Sequence, residues 1–176
     1  FMHHRVKPEL LRSLIPPELE VDLFDGSAWI SVVPFVMADV MKGNLPSVYP
    51  MKAFPELNIR TYVKHRGRPG VWFFSLDAAC LPLVLGGRYM YGVPYHYAAM
   101  RLEKTEETYL CESRRRFSKV EFRASYTPDP EVFLAEPDSF EHWVTERYCM
   151  YAKPWYGSLY RVDVHHRQWP LQQLRV

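Results

Sequence analysis

Residues 54–78 have the sequence FPELNIRTYVKHRGRPGVWFFSLDA, and residues 91–97 follow with YGVPYHY. The first stretch opens with polar and apolar side chains in alternation, the period of a strand with two different faces. The sequence therefore predicts a strand, a tight turn, a second strand, a short helix and a third strand. One face of the first strand is polar and is either solvated or lines a pocket, and it carries Glu56, Asn58, Arg60 and Tyr62.

The sequence before residue 54 predicts a helix and a hairpin. Pro8 is tolerated in a first helical turn, and apolar residues follow it at helical spacing. Residues 19–24 alternate apolar side chains with acids such as Asp22, which predicts a strand with a solvated acidic face. Asp25-Gly26 is a common hairpin dipeptide, so we expect this strand to pair with residues 28–37.

The remaining segments predict further strands and two more helices. Residues 40–53 have no period, and a loop of that length is expected to cover a site or to be mobile. A helix is predicted to begin near Pro82 and to break at Gly86-Gly87, and Asp138 to open another with a capping-box pattern. The other predicted strands are residues 95–103, 108–116, 117–126, 148–151 and 158–166.

Composition indicates one folded domain over residues 1–176. We expect the natural protein to extend a few residues before Phe1 and a few residues after Val176. The chain is 48% hydrophobic with a net charge of +2 and no long basic block, so we expect no nucleic-acid partner. No apolar run reaches the ~18 to 20 residues that cross a bilayer, so we expect a cytoplasmic protein without a membrane partner. The three cysteines are irregularly spaced and are expected to be reduced thiols.

Seven or more short strands, mostly joined by hairpins and interrupted by short helices, predict a mainly β (α+β) fold. Such a sheet is antiparallel and curls or closes into a barrel, with polar strand faces turned toward an internal cavity. The expected partner is accordingly a small molecule, and a homo-oligomer is left open.

Five long blocks, in order, are similar to the YqjF-like family of uncharacterised, mainly bacterial proteins. They are PPELEVDLFDGSAWISVVPF, FPELNIRTYV, VWFFSLDA, FEHWVTERYCMY and YRVDVHHRQWPLQ. That family resembles the acetoacetate decarboxylase superfamily, and HRVKPELLRSLIPPELE resembles the strand and helix that open those enzymes. The resemblance implies a cone-shaped antiparallel barrel with a small-molecule site.

Two shorter matches bear on chemistry. FPELNI resembles the Tyr-x-Glu strand of the decarboxylases, which places Glu56 on an active-site acid. YGVPYHY resembles their Gly-x-Pro-Lys segment, whose lysine forms a Schiff base, but here Tyr95 occupies the lysine position. Because a phenol cannot form an imine, the resemblance does not imply Schiff-base decarboxylation. The decarboxylase arginine that binds the substrate carboxylate would lie before Phe1.

Each candidate residue has a structural alternative. Glu56 is either a general base or an acid that is solvated or paired with an arginine, and Arg60 either pairs with it or binds an anionic ligand. Tyr95 and His96 point to opposite faces of a strand, and the resemblance favours Tyr95 for the cavity. Arg114 and Arg116 share a face that is either a charged exterior or an anion-binding wall.

No metal or other cofactor is predicted. His3-His4 and His165-His166 are adjacent pairs on predicted strands, so neither pair can chelate one ion, and no carboxylate stands at a metal-ligand spacing. Two functions are left open. The protein is an enzyme on small carbonyl or carboxylate compounds, with Glu56 and Tyr95 catalytic, or it is a non-catalytic binder of a small, largely apolar ligand.

Overall fold

The computed structural model describes residues 1–38 and 53–175, and strands dominate this part of the chain. The helices are α1 (Pro8–Arg12), α2 (Leu81–Tyr91) and α3 (Phe140–Thr145). The strands are β1 (Met2–Val6), β2 (Glu20–Val21), β3 (Ala28–Ala38), β4 (Ala53–His65), β5 (Arg68–Ala78), β6 (Tyr95–Thr105), β7 (Thr108–Arg115), β8 (Glu121–Pro128), β9 (Phe133–Leu134), β10 (Cys149–Ala152), β11 (Tyr160–Asp163), β12 (Pro170–Leu171) and β13 (Leu174–Arg175).

One large sheet organises the molecule. Its strands follow the order β1-β3-β4-β5-β6-β7-β8-β13, with β2 beside β4 and β10 and β11 on a branch. Most neighbours are antiparallel, whereas β5 pairs in parallel with both β6 and β10. The sheet curls into a half-barrel, which confirms the predicted mainly β fold with a few short helices.

One edge of β5 pairs with β4, and its other edge pairs with two different strands, β6 and β10, so the sheet branches at β5. β6 pairs with residues 76–78 at one end of β5, and β10 pairs with Val71 and Trp72 toward the other. The two branches therefore leave β5 in different directions and curl around its concave face.

A bulge keeps the concave face continuous across β4 and β5. Asn58 on β4 lies opposite Leu76, whereas Arg60 lies opposite Phe73, because Phe74 is an extra residue at this point of β5. Leu76 and Phe73 are three residues apart and would face opposite sides of a regular strand. The extra residue rotates the strand, so that both side chains face the interior.

Two helices cover the ends of this face. Val84 of α2 packs in a cluster with Leu76 and Tyr95. At the other end, Val144 of α3 packs against Tyr62. The middle of the face is left between these two clusters.

The predicted hairpin is wrong. Asp25-Gly26 does form a turn, but β2 pairs with β4, and β3 pairs with β1 and β4. Asp22 is not on a solvated face, because only 2% of it is exposed and its carboxylate is paired with cations of distant segments. Alternation within residues 19–24 could not reveal those long-range partners.

The three predicted helices are present, but the predicted break in α2 and the predicted cap of α3 are wrong. The helix after Pro8 is confirmed, and α2 begins as predicted near Pro82, but α2 runs without interruption through Gly86-Gly87. The cap of α3 is Ser139, which accepts a hydrogen bond from the backbone N–H of His142, and not the predicted Asp138.

The later strands match their predictions within a few residues, as β6, β7, β8, β10 and β11. The predicted loop over residues 40–53 lies outside the described part, except for Ala53. No helix in residues 1–38 and 53–175 is long and apolar enough to cross a membrane.

Gly87 explains why α2 tolerates a glycine pair. A Cβ on Gly87 would stand 2.5 Å from the Tyr95 ring, whereas a Cβ on Gly86 would meet nothing within 4 Å. Gly87 thus lets the Tyr95 ring pack directly on the helix backbone.

We therefore expect opposite effects from two neighbouring substitutions. Gly86→Ala should raise the free energy of unfolding by roughly 0.5 to 1 kcal/mol through helix propensity. Gly87→Ala has the same propensity gain but must displace Tyr95, and overpacking of about 1 to 3 kcal/mol should make it destabilising. Urea unfolding of both variants measures the difference, and equal stabilisation by both would contradict the close packing of Tyr95.

Candidate functional site

A cavity of about 320 Å³ occupies the uncovered middle of the concave face. Its walls come from β3, β4, β5, the start of β6, the segment from α3 into β10 and the segment after β11. Most of the lining is apolar and includes Val33, Phe35, Phe73, Leu76, Val93, Met150, Val164 and Trp169. Its polar and titratable lining residues are Glu56, Asn58, Arg60, Tyr95, Thr145, Arg147, Cys149 and His166.

Glu56 is the buried acid of this cavity. It is 2% exposed, and the Tyr95 hydroxyl donates a hydrogen bond to its Oε2 at 3.0 Å. Burial raises the pKa of Glu56 to about 7, and the hydrogen bond from Tyr95 opposes part of that rise. No ion pair joins Glu56 to any cation in residues 1–38 and 53–175. This carboxyl can therefore gain and lose a proton near neutral pH.

Tyr95 is held against Glu56 by the start of β6 and by α2. Its ring packs on the backbone of Gly87, and burial followed by the nearby Glu56 charge raises the pKa of its phenol. The hydroxyl consequently stays protonated and acts as a donor. His96 does not line this cavity and lies near Arg115, on the other side of the strand.

Asn58 and Arg60 continue the same face of β4. Asn58 is 4% exposed, and its buried Oδ1 accepts no hydrogen bond from residues 1–38 and 53–175. Arg60 donates from Nη2 to the backbone oxygen of Val144 at 3.1 Å, and its buried Nε has no partner within the same residues. A buried amide oxygen and a buried guanidinium N–H thus both lack a partner in the part of the chain that the structure describes.

Tyr62 shares this strand face but is fully buried beneath α3. Its hydroxyl and the Ser31 hydroxyl are 2.6 Å apart, and Ser31 in turn bonds to His3 Nδ1 at 2.7 Å. Its ring stacks at a tilt on Trp143, with 4.5 Å between centroids. Tyr62 therefore lies behind the cavity and not in its lining.

Arg114 and Arg116 lie apart from the other predicted site residues. Both are exposed, Arg114 on β7 and Arg116 just after it. Arg115 between them turns inward, where its Nε lies 2.7 Å from Asp77 Oδ1. The structure brings together Glu56, Tyr95, Asn58 and Arg60, but it does not bring Arg114 and Arg116 to them.

Arg147, His166 and Trp169 also line the cavity, although none of them was a sequence candidate for ligand binding or catalysis. Arg147 is 7% exposed and pairs with Asp22, while His166 stacks on Tyr148 with 4.7 Å between ring centroids and lies beside Trp169. Arg147 had a signal, because it follows the apolar helical positions of α3 at helical spacing, where a cation requires a partner. His166 was considered only for a metal site, on a predicted strand that ends at Asp163 in the structure, and Trp169 lies outside regular secondary structure.

The described residues contain no group of three or more His, Cys, Asp or Glu side chains arranged to hold a metal ion. The cavity lining can support proton exchange at Glu56 and hydrogen bonding by Asn58, Arg60 and Arg147.

The comparisons with known proteins agree with this architecture. The model of the DUF2071 family, described as an uncharacterized conserved protein, matches residues 1–176. The uncharacterized protein YqjF of Bacillus subtilis (strain 168) is 43% identical over 173 residues, which cover 98% of this chain and 71% of YqjF.

Three solved structures share the fold. The acetoacetate decarboxylase of Legionella pneumophila has a TM-score of 0.59 at 17% identity, over 98% of this chain and 60% of that chain. The enduracididine biosynthesis enzyme MppR, complexed with pyruvate, has a TM-score of 0.64 at 15% identity, over 89% and 62%. An acetoacetate decarboxylase-like enzyme from Sphingomonas wittichii RW1 has a TM-score of 0.63 at 16% identity, over 98% and 66%. The chain spans less than two thirds of each solved chain, and at these identities the likeness shows the fold alone.

The family match along the whole chain and the identity to YqjF confirm the predicted YqjF-like placement. This chain belongs to the DUF2071 family and has an acetoacetate decarboxylase-like fold.

Proposed function

We propose that this protein acts on a small carbonyl or carboxylate compound in the cavity described above, with Glu56 as the proton-transfer group. One observation carries the proposal. Glu56 is buried in a largely apolar cavity, has a pKa of about 7 and accepts its hydrogen bond from a tyrosine rather than from a cation. A general base or acid is most effective when its pKa lies near the working pH, and buried acids with such values are frequent at active sites.

The reaction type that fits is proton transfer at a carbon next to a carbonyl group. Ionised Glu56 takes the proton, the C–H electron pair forms the C=C bond of an enolate while the π pair of the C=O bond moves onto its oxygen, and the proton stays on the carboxyl. Return of that proton to carbon completes the exchange. Tyr95, which remains protonated, donates to Oε2 and orients the carboxyl.

Imine chemistry is not part of the proposal. Tyr95 stands where the resembling decarboxylases carry the Schiff-base lysine, and a phenol cannot form an imine. MppR, which shares the fold, is complexed with pyruvate, and this supports a small carbonyl compound as the class of ligand.

The alternative is a non-catalytic binder of a small, largely apolar ligand. The predominantly apolar lining and the aromatic stack of His166 with Tyr148 and Trp169 favour this function, because such walls bind without any need for proton transfer. Under this alternative, Glu56 and Tyr95 only orient the ligand.

Solvent deuterium exchange separates the two functions. We expect the protein to catalyse exchange of the protons next to the ketone of 4-oxopentanoate in D2O, followed by proton NMR. Glu56→Gln keeps the size of the side chain but removes its base, so the exchange rate should fall by about 100-fold or more.

Glu121→Gln, a substitution at an exposed acid of β8, is the matched control and should exchange like the native protein. Binding of the ketone without any enhanced exchange would favour the non-catalytic function. Equal exchange by native protein and Glu56→Gln would remove Glu56 from the mechanism.

Tyr95→Phe tests the hydrogen bond between the two residues. Because the Tyr95 hydroxyl lowers the pKa of Glu56, its removal should move the acidic limb of the exchange pH profile upward by roughly half a unit or more. Tyr97→Phe, on the same strand, serves as the control and should leave the profile in place. A profile of Tyr95→Phe that coincides with that of the native protein would mean that this hydrogen bond does not tune the acid.

The raised pKa of Glu56 also predicts how stability depends on pH. Protonated Glu56 is favoured by the folded state, so its contribution is present below the ordinary value of 4.5 and is lost as the pH rises through about 7. Glu56→Gln should therefore be more stable relative to the native protein at pH 8 than at pH 4.5, by up to roughly 3 kcal/mol. Urea unfolding at both pH values measures this, and a pH-independent difference would place the pKa of Glu56 near its ordinary value.

A further inference from the structure

We propose that the compound bound in this cavity carries a carboxylate, and that Arg147, together with Arg60, binds it at the end of the cavity remote from Glu56. The inference rests on the proposed function because it concerns the same cavity, and it adds the charge of the ligand and the residues that select it.

Hydrogen bonds to two other segments fix the position of the Arg147 guanidinium. Its Nη1 donates to Asp22 Oδ2 at 2.6 Å, and its Nε donates to the Trp143 backbone oxygen at 2.6 Å. Asp22 is in turn paired with Lys64, whose Nζ lies 2.7 Å from Oδ1. Asp22 is therefore a positioning residue, which holds a buried guanidinium at the cavity wall.

Both guanidiniums are anchored to the same turn of chain. Arg60 donates to the Val144 oxygen and Arg147 to the Trp143 oxygen, which are consecutive carbonyls of α3. Both also lie over the Tyr62 ring, with 5.6 Å and 5.1 Å between Cζ and the ring centroid. This arrangement places both guanidiniums at the α3 end of the cavity.

These anchors leave donors unused. A guanidinium has five N–H donors, and Arg147 uses only Nε and Nη1 in hydrogen bonds with residues 1–38 and 53–175. The Nε of Arg60 is buried and has no partner among the described residues. A carboxylate is the group whose two oxygens match such a planar set of donors.

The charges at this end do not balance. Arg147 and Asp22 are both buried and neutralise each other, and Lys64, which also pairs with Asp22, is 42% exposed and therefore largely solvated. Arg60, in contrast, has no carboxylate partner in residues 1–38 and 53–175. Burial lowers the pKa of Arg147 even though the hydrogen bond to Asp22 opposes the shift. Since buried positive charge is costly without a counter-ion, a ligand carboxylate would supply the missing negative charge.

The distance between Glu56 and Arg60 constrains the length of the ligand. Glu56 and Arg60 are four residues apart on β4, so their Cα atoms are about 13 Å apart along the strand. Asn58 lies between them, and its Oδ1 has no hydrogen-bond partner in residues 1–38 and 53–175. The carboxylate and the reacting carbonyl group therefore bind at different ends of the cavity, which favours keto acids whose two groups are separated by intervening carbons over those in which the groups are adjacent.

The test compares one acid with its neutral ester. Isothermal titration calorimetry with 4-oxopentanoate and with methyl 4-oxopentanoate should show that the native protein binds the acid at least about tenfold more tightly. Arg60→Met can be tested alone, because no carboxylate pairs with Arg60 in the described residues and none would be left without a partner. For Arg147→Met, Asp22→Asn is added to remove the carboxylate that would otherwise stay buried. Both variants should bind the acid roughly tenfold or more weakly, and the ester within about twofold of the native protein.

Arg114→Met, at an exposed arginine outside the cavity, is the control and should bind both compounds like the native protein. Circular dichroism and thermal unfolding establish that each variant is folded. Unchanged preference for the acid in the folded Arg60 and Arg147 variants would overturn the inference, as would equal binding of acid and ester by the native protein.

Glu56→Gln distinguishes this inference from the proposed reaction. Arginine-dependent binding of the acid by Glu56→Gln, with or without catalysed exchange in the native protein, supports the carboxylate site. Exchange that depends on Glu56 but proceeds equally well with the ester overturns the carboxylate site and leaves the reaction standing. Failure of the native protein to bind either compound overturns both.

Discussion

The burial of the Glu56 carboxyl against the Tyr95 hydroxyl is the constraint on which the rest of this structure depends. A carboxyl group without a cation partner is tolerated in an apolar interior only if it is largely protonated or well hydrogen-bonded. The fold meets this requirement with a phenol from β6, and Gly87 allows that phenol to pack directly on α2. The acid is consequently left with a pKa that suits proton exchange near neutrality.

The two ends of β4 then serve different purposes. Near its start, Glu56 and Tyr95 form an uncharged or singly charged pair, and toward its other end Arg60 and Arg147 form a cationic pair under α3. The bulge at Phe74 joins these two ends into one continuous cavity wall, because it brings Phe73 and Leu76 of β5 to the same face. A single strand thus presents the acid Glu56 and the guanidinium of Arg60 along one apolar cavity.

Much of this arrangement was accessible from local sequence. Alternation along residues 54–63 predicted the strand and its polar face, and the resemblance placed Glu56 and Tyr95 together before any contact was known. What local patterns could not give were partners distant in sequence. Asp22 was expected on a solvated face because its neighbours alternate, yet it pairs with Arg147, 125 residues later. The uninterrupted α2 has the same cause, since the contact that explains Gly87 is made by Tyr95 and not by the helix itself.

The most direct test of this account is the ionisation of Glu56 itself. Carbon-13 NMR of the glutamate side-chain carboxyls, with Glu56→Gln used to assign the resonance, follows that ionisation across the pH range. The account predicts a titration midpoint near 7 for Glu56. A midpoint near the ordinary value of 4.5 would contradict the account, because the acid would then be solvated or paired with a cation rather than buried against Tyr95.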